Sequence, residues 1–222
     1  GKTKKILNGV LSENIKNKDL VLNKLNTFTE SVFKISSITK TKSKRKPQPP
    51  FITSTLQQDA GKRFGFTAKQ TMSIAQKLYE KGHITYHRTD SVNLSKDIIP
   101  KLNEYIENNY GKEYICNVDY KTKGKNAQEA HEAIRPTDIS RSPDNVKKYL
   151  STDQNKLYEL IWSRALSSQM ESAKFDRNTI TITSDNNDTI CKASGSVLKF
   201  DGFLKIYNNQ NKDDDENILP AV

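Results

Sequence analysis

The run Ile84-Thr-Tyr-His-Arg-Thr-Asp-Ser91 holds the densest group of chemistry-bearing side chains in the sequence. In an extended backbone, successive side chains alternate, so Tyr86 and Arg88 point to one side while His87 and Thr89 point to the other. A phenol and a guanidinium can then face one ligand, and the pair suits a phosphodiester. Arginine offers a rigid, permanently charged fork to phosphate oxygens and can stabilise the charge that builds up during attack at phosphorus. A tyrosine hydroxyl ionises only near pH ~10, so as a nucleophile it needs positive charge or a metal beside it. Tyrosine is also a common packing residue with a polar tip, and Arg-Thr-Asp-Ser alone reads as a turn before a helix.

A second polar group lies at Gln128, His131 and Arg135. On a helix over 127–134 these fall at i, i+3 and i+7, one stripe able to line a nucleic-acid backbone. His131 can donate to a phosphate oxygen or carry a proton. Arg135 has two readings: a DNA contact, or an ion pair with Glu132 or Asp138. Ser54, Thr55, Gln57 and Gln58 bring hydrogen-bonding groups to the start of another helix, where local capping is the simpler use. Lys62 and Arg63 fit backbone phosphates or a solvated helix face, and Asp90 fits the ordering of its loop.

The elements that must position these residues follow from periodicity. Phe33, Ile35 and Ile38 alternate and predict a strand near 31–39; a Lys-rich linker over 39–50 follows, closed by Pro47-Gln-Pro-Pro50. Ser54 then caps a helix through Arg63. Thr67 with Gln70 caps one carrying Met72, Ile74, Ala75, Leu78 and Tyr79, stopped by Gly82. Ser95 opens a helix with Ile98, Leu102, Tyr105 and Ile106, and Leu157, Ile161 and Ala165 stripe another over 153–169. From Phe175 the period becomes two: a strand through Thr183, a turn at 185–188, a strand over 189–193, further strand-like sequence over 197–207 and an acidic loop at 212–217.

β-rich sequence therefore flanks a helical block. The expected fold class is multidomain α and β: a β-rich arch domain with an inserted, mainly helical domain bearing Tyr86. The expected boundaries are 1–49 for the basic segment and first part of the arch, 50–171 for the helical domain and 172–222 for the return into the arch.

Composition limits the function. In 222 residues with 34% hydrophobic and 28% charged side chains, no apolar run approaches the ~20 residues of a membrane span. The net charge is +10, and residues 1–50 carry 12 Lys+Arg against 3 Asp+Glu while the remainder is nearly balanced, which favours a polyanionic partner. Two cysteines make a disulfide scaffold improbable and fit a reducing compartment; three histidines without metal-site spacing argue against structural zinc. The opening Gly-Lys-Thr-Lys-Lys lacks the apolar core of an export signal, and the chain reads as a piece of a longer protein.

Taken in order, Pro50-Phe-Ile-Thr-Ser-Thr-Leu-Gln-Gln58, Gly65-Phe-Thr-Ala-Lys69, Ala75-Gln-Lys-Leu-Tyr79, Gly82-His-Ile-Thr-Tyr-His-Arg-Thr-Asp-Ser91, Gln128-Glu-Ala-His-Glu-Ala-Ile-Arg-Pro-Thr137, Leu157-Tyr-Glu-Leu-Ile-Trp162 and Gly202 closely resemble the central part of type IA DNA topoisomerases, the bacterial topoisomerase I branch in particular. The resemblance runs from about residue 20 to 222. It implies that Tyr86 is the nucleophile toward single-stranded DNA, leaving a 5′-phosphotyrosine and a free 3′-hydroxyl without ATP. It also implies that Arg88 clamps the phosphate, that His131 belongs to the active site, and that Ser54, Thr55, Gln57 and Gln58 fall beside it. His87 is a departure, since the matching position is usually Met in bacterial topoisomerase I and Pro in topoisomerase III.

The resemblance further implies Mg²⁺ in the full-length enzyme, held by an acidic cluster in a domain absent from this chain; Asp213-Asp-Asp-Glu216 has the wrong spacing, and no cofactor is expected in the chain itself. Expected partners are single-stranded or negatively supercoiled DNA and the missing domains of the same polypeptide, with no membrane, in a monomer associated with DNA in the cytoplasm. The chain alone is expected to be catalytically crippled. The rival reading is a non-catalytic nucleic-acid-binding module that uses the basic first 50 residues; a reverse gyrase would need an attached helicase.

Overall fold

The computed structural model describes residues 8–120, 132–185 and 189–207. The chain divides into two units, one made of the residues up to Lys44 with Lys174–Phe200, the other of Arg45–Ala173 with the segment after Asp201.

The first unit is a four-stranded sheet in the order β1-β4-β3-β2, with β1 at Val10–Leu11, β2 at Phe33–Arg45, β3 at Ala173–Ser184 and β4 at Ile190–Phe200. β-Branched residues dominate Thr179–Thr183, and the antiparallel β3–β4 register sets Ile180 opposite Ala193 and Ile182 opposite Cys191. Ile180, Ala193 and Cys191 are buried. Both cysteines are free thiols. At the hairpin end the Ser184 amide donates to the Thr189 carbonyl and the Thr189 amide to Ser184 Oγ, each at 3.0 Å.

Three local expectations change in this unit and where the chain leaves it. The strand expected near 31–39 continues to Arg45 through sequence read as linker. β2 lies at the sheet edge, where alternating lysines project to water without breaking pairing; the prolines from Pro47 onward stop it. Between β1 and β2 a helix not foreseen, α1 (Lys18–Glu30), is capped by Asn17 Oδ1, which accepts from the Asp19 and Leu20 amides at 2.8 and 3.4 Å. It buries no residue, which is why periodicity gave no signal. The strand-like reading of 197–207 holds only to Phe200. Gly202 then turns at φ 50°, where a Cβ would lie 2.3 Å from the Glu171 carbonyl oxygen, and a 3-10 turn spans Gly202–Lys205.

The second unit is helical: α2 (Thr53–Phe64), α3 (Ala68–Glu80), α4 (Ile98–Tyr110), α5 (Pro143–Val146) and α6 (Thr152–Ser168). The expected stripe Leu157, Ile161 and Ala165 is fully buried on α6, joined by Tyr158, Leu160, Trp162 and Leu166. α2 contributes Leu56 and Ala60, α3 Ile74, Ala75 and Leu78, and α4 Ile98, Leu102 and Ile106. Ser151 and Gln154 form a reciprocal capping box on α6. Thr67 Oγ1 accepts from the Gln70 amide at 3.1 Å to start α3. Gly82, at φ 70°, ends it in a Schellman arrangement, the His83 amide on the Leu78 carbonyl and the Gly82 amide on that of Tyr79.

Two helix starts move and one expected helix does not include its last three residues. α2 begins at Thr53, not after a Ser54 cap, and Thr55 Oγ1 accepts from the Ile52 amide at 3.1 Å. α4 opens at Ile98, and Ser95 serves another part of the fold, described below. Glu132–Ile134, the described part of the helix expected over 127–134, is non-helical, because Ile134 pairs as a bridge with Phe51; the rest of that segment lies outside the described residues.

α2, α6 and the segment after Gly202 meet around Arg164. Its guanidinium carbon lies 4.4 Å from the Phe51 ring centroid and 4.6 Å from that of Tyr207, and Nη2 donates to Asp59 at 2.8 Å. Tyr207 donates its hydroxyl to the same carboxylate, and Arg63 covers the other ring contact at 4.5 Å from the Tyr207 centroid. Asp59→Ala strands a buried cation and is expected to cost about 3 kcal/mol, read as a lowered urea midpoint with an unchanged slope.

Candidate active site

The stretch from His83 to Ser91 bends at His83, Thr85 and His87 and belongs to no sheet, so its backbone polar groups need other partners. Its first half pairs with the segment before Pro136. The Thr85 amide donates to the Arg135 carbonyl at 2.9 Å, Thr85 Oγ1 donates to Ala133 at 2.7 Å, and the Arg135 amide donates back to Thr85 Oγ1 at 3.0 Å. Ile84 bridges Pro136, and the Thr137 amide reaches the His83 carbonyl at 3.1 Å.

Its second half is held by one residue at the start of α2. Thr53 donates its amide to the Thr89 carbonyl at 2.9 Å, shares its hydroxyl proton between the His87 and Thr89 carbonyls at 2.9 and 3.1 Å, and accepts from the Thr89 amide at 2.9 Å. Tyr86 and Arg88 are thereby carried outward, and His87 and Thr89 inward: the alternation expected from the sequence. Tyr86 is 48% exposed and His87 3%.

Around Tyr86 the neighbours are aromatic. Tyr79, at the end of α3, meets it edge-on with ring centroids 5.3 Å apart. The His87 ring lies 5.2 Å from Tyr86 and 5.8 Å from Tyr79, and neither of its nitrogens has a hydrogen-bond partner among the described residues. Burial lowers the His87 pKa, with Arg88 acting in the same direction and Glu80 opposing. Burial, then Arg141 and Lys81, also lower that of His83. Tyr79, read from the sequence as part of an apolar stripe, is 43% exposed.

On the Arg88 side an open cleft of about 450 Å³ is lined by Ile52, Thr53, Ser54, Gln57, Arg88, Thr89 and Asp90. Of the residues selected from the sequence, Ser54, Gln57 and Arg88 therefore converge. Thr55 is turned to the α2 start, and Gln58 and Lys62 are exposed beyond the cleft lining. Arg63 faces Tyr207. His131 and Gln128 lie outside the described residues.

Arg135 takes the second of its two readings. Nε and Nη2 form a fork on Glu132 at 2.6 and 2.9 Å, Nη1 donates to the Pro136 carbonyl at 2.8 Å, and the side chain is 12% exposed. Asp138 pairs instead with Arg141. Burial raises the Glu132 pKa, but hydrogen bonds from Arg135 and the Ser95 amide, the latter at 2.8 Å, outweigh it and leave the carboxyl below its ordinary value. This is where Ser95 is spent.

Thr53 and Thr85 were not selected from the sequence, and Glu132 only as a partner of Arg135. The roles of the two threonines, and the bond from the Ser95 amide to Glu132, depend on partners 34–50 residues away, and no local pattern marks them. Among the described residues no group of three or more His, Cys, Asp or Glu side chains converges to hold a metal, and no helix is long and apolar enough to cross a membrane.

A helical unit presenting Tyr86 and Arg88, with a four-stranded antiparallel sheet formed by flanking sequence, is a known arrangement. It is similar over 97% of the chain to the full-length topoisomerase I of Thermotoga maritima, with a TM-score of 0.80 and 31% identity, covering 35% of that protein. The family model for DNA topoisomerase matches residues 2–222, and the chain belongs to this family, in its type IA bacterial branch. It is 50% identical over 203 residues to DNA topoisomerase 1 of Rickettsia typhi, covering 86% of this chain and 26% of that protein. It is 44% identical over 197 residues to the Xylella fastidiosa protein of the same name, covering 82% and 24%. The chain thus spans about a quarter of the length of these curated relatives.

Buried His87 and half-buried His83 are expected to make stability depend on pH. An unfolded histidine takes up a proton near pH ~6.5, whereas His83 and His87 resist it when folded, so the unfolded chain binds more protons as pH falls below that value and stability is lost there. The melting temperature is expected to fall between pH 7.5 and pH 5, and His87→Met to narrow that difference.

Proposed function

We propose that this chain supplies the nucleophile and part of the strand-binding surface of a type IA topoisomerase that transiently cuts and rejoins single-stranded DNA. The observation that carries the reading is the outward projection of Tyr86 and Arg88 from a segment fixed by Thr53 and Thr85, beside an open polar cleft at the start of α2. The Tyr86 oxygen attacks phosphorus, a Tyr–O–P bond forms, and the P–O3′ bond breaks; the phenolic proton leaves and the departing 3′-oxygen gains one. Arg88 neutralises charge on the non-bridging oxygens. His131, by the family resemblance, donates to the phosphate or relays the proton.

The phosphotyrosine keeps the energy of the broken bond, so the 3′-hydroxyl reverses the step without ATP. Passage of another strand before rejoining relaxes negative supercoils. Ser54 and Gln57 hydrogen-bond the strand in the cleft, and Ser54, Gln58 and Lys62, at i, i+4 and i+8 on the exposed side of α2, carry it onward. The sheet unit is the arch into which the helical unit is inserted. Mg²⁺, when bound by the longer protein, screens phosphate charge; its ligands are expected outside this chain.

In the longer protein, Tyr86→Phe is expected to abolish the detergent-resistant protein–DNA adduct while single-strand affinity changes less than about threefold. Adduct surviving in that variant overturns the reading. For the isolated chain, efficient Mg²⁺-dependent cleavage is not expected.

A second reading is favoured by one observation: Lys40, Lys42 and Lys44 are exposed at alternate positions of β2 and share one face. A non-catalytic DNA-binding strand predicts that replacing all three by Gln abolishes binding and its salt dependence, and that Tyr86→Phe changes nothing. Substitution is the suitable test, because truncation before residue 45 removes β2 from the sheet.

A further inference from the structure

We propose that Tyr79 is a nucleobase-stacking platform, the aromatic half of a subsite whose phosphate half is the Arg88 cleft. The proposal rests on the single-stranded DNA reading above and adds to it what holds a base next to the scissile phosphodiester. Tyr79 has the amphipathic position of a core residue on α3, yet it is 43% exposed, and its only ring neighbours among the described residues are Tyr86 and His87. The two tyrosines meet edge to face, at 65° between ring planes, and although they cover His87 each stays close to half exposed, which leaves ring surface open to solvent.

Beneath them His87 is 3% exposed and lies against both rings. It is pinned from behind through its carbonyl, which accepts from Thr53. The Tyr79 ring thus rests on a buried neighbour whose backbone is fixed, and a tyrosine has few rotatable bonds to order on binding. Two residues beyond Tyr86, and exposed like it, stands Arg88, in the cleft with Ser54 and Gln57. Charge beside an open π surface is the pattern that binds single strands with little sequence preference, the guanidinium taking the backbone and the ring taking a base. A duplex keeps its bases stacked inside and offers neither tyrosine a face.

The test uses the 222-residue chain, a deoxythymidine decamer, the same decamer with every base removed, and a duplex of equal length. Tyr79→Leu keeps helix propensity and apolar character but removes the π face. It is expected to weaken binding of the thymidine decamer by about 5- to 100-fold, and to leave the abasic decamer and duplex within about twofold. Tyr79→Phe is expected to restore the wild-type preference. In a second measurement, a 2-aminopurine placed in the decamer is quenched by the wild-type chain and by Tyr79→Phe, but not by Tyr79→Leu. Equal weakening on base-bearing and abasic strands, unchanged binding in Tyr79→Leu, or no binding of the decamer by the wild-type chain each overturns the proposal. Adduct formation by the longer protein with Tyr79→Leu binding unimpaired leaves the Tyr86 chemistry standing and removes the platform. A base-dependent effect without any Tyr86 adduct does the reverse.

Discussion

Everything proposed for this molecule depends on how an irregular segment outside any sheet satisfies its backbone. Desolvated amides and carbonyls without partners are costly, and the stretch around Tyr86 has no flanking strand along its length. Two threonines solve the problem from opposite ends: Thr85 knits the first half to residues 133–135, and Thr53 closes the second half onto the start of α2. With both sides of the segment anchored, alternation does the rest. His87 is driven inward so that Tyr86 and Arg88 point out, and the nucleophile's place is set by hydroxyls that never touch the substrate.

Those anchors need rigid supports. Thr53 stands at the head of α2, and α2 is tied to α6 through the Asp59–Arg164 pair and the rings on either side of it. Residues 133–135 are fixed by Ile134 on Phe51 and by Glu132, which holds both Arg135 and the Ser95 amide. Phe51 thus appears in both supports, its ring packed under Arg164 and its backbone bridged to Ile134, which couples the two ends of the Tyr86 segment through a single buried residue. Arg135 is part of this frame, its guanidinium bonded to Glu132 and to the Pro136 carbonyl.

Much of this was legible from residue order alone. The α3 and α6 stripes, the Gly82 stop and the Tyr86/Arg88 alternation are local patterns with local causes. What escaped was of two kinds. Elements without a buried face gave no period to detect, as in α1, or looked like linker because every side chain faces water, as in the second half of β2. And residues whose purpose is a long-range hydrogen bond, Thr53, Thr85 and Ser95, were invisible or were assigned to the nearest helix start. Expecting a helix over 127–134 failed for the same reason at Ile134: a pairing with Phe51, distant in sequence, overrode local propensity.

The lysine-rich β2 has a consequence separate from DNA. In the described sheet one edge is only Val10–Leu11, and the other is a 13-residue strand, long enough to template a strand from a second molecule. Charged side chains at alternate positions along such an edge repel an incoming copy and hold it in solution. The basic composition that first suggests a nucleic-acid arm is thus also a guard against edge-to-edge aggregation, and a selection that trimmed those lysines for any other purpose would act on solubility as well.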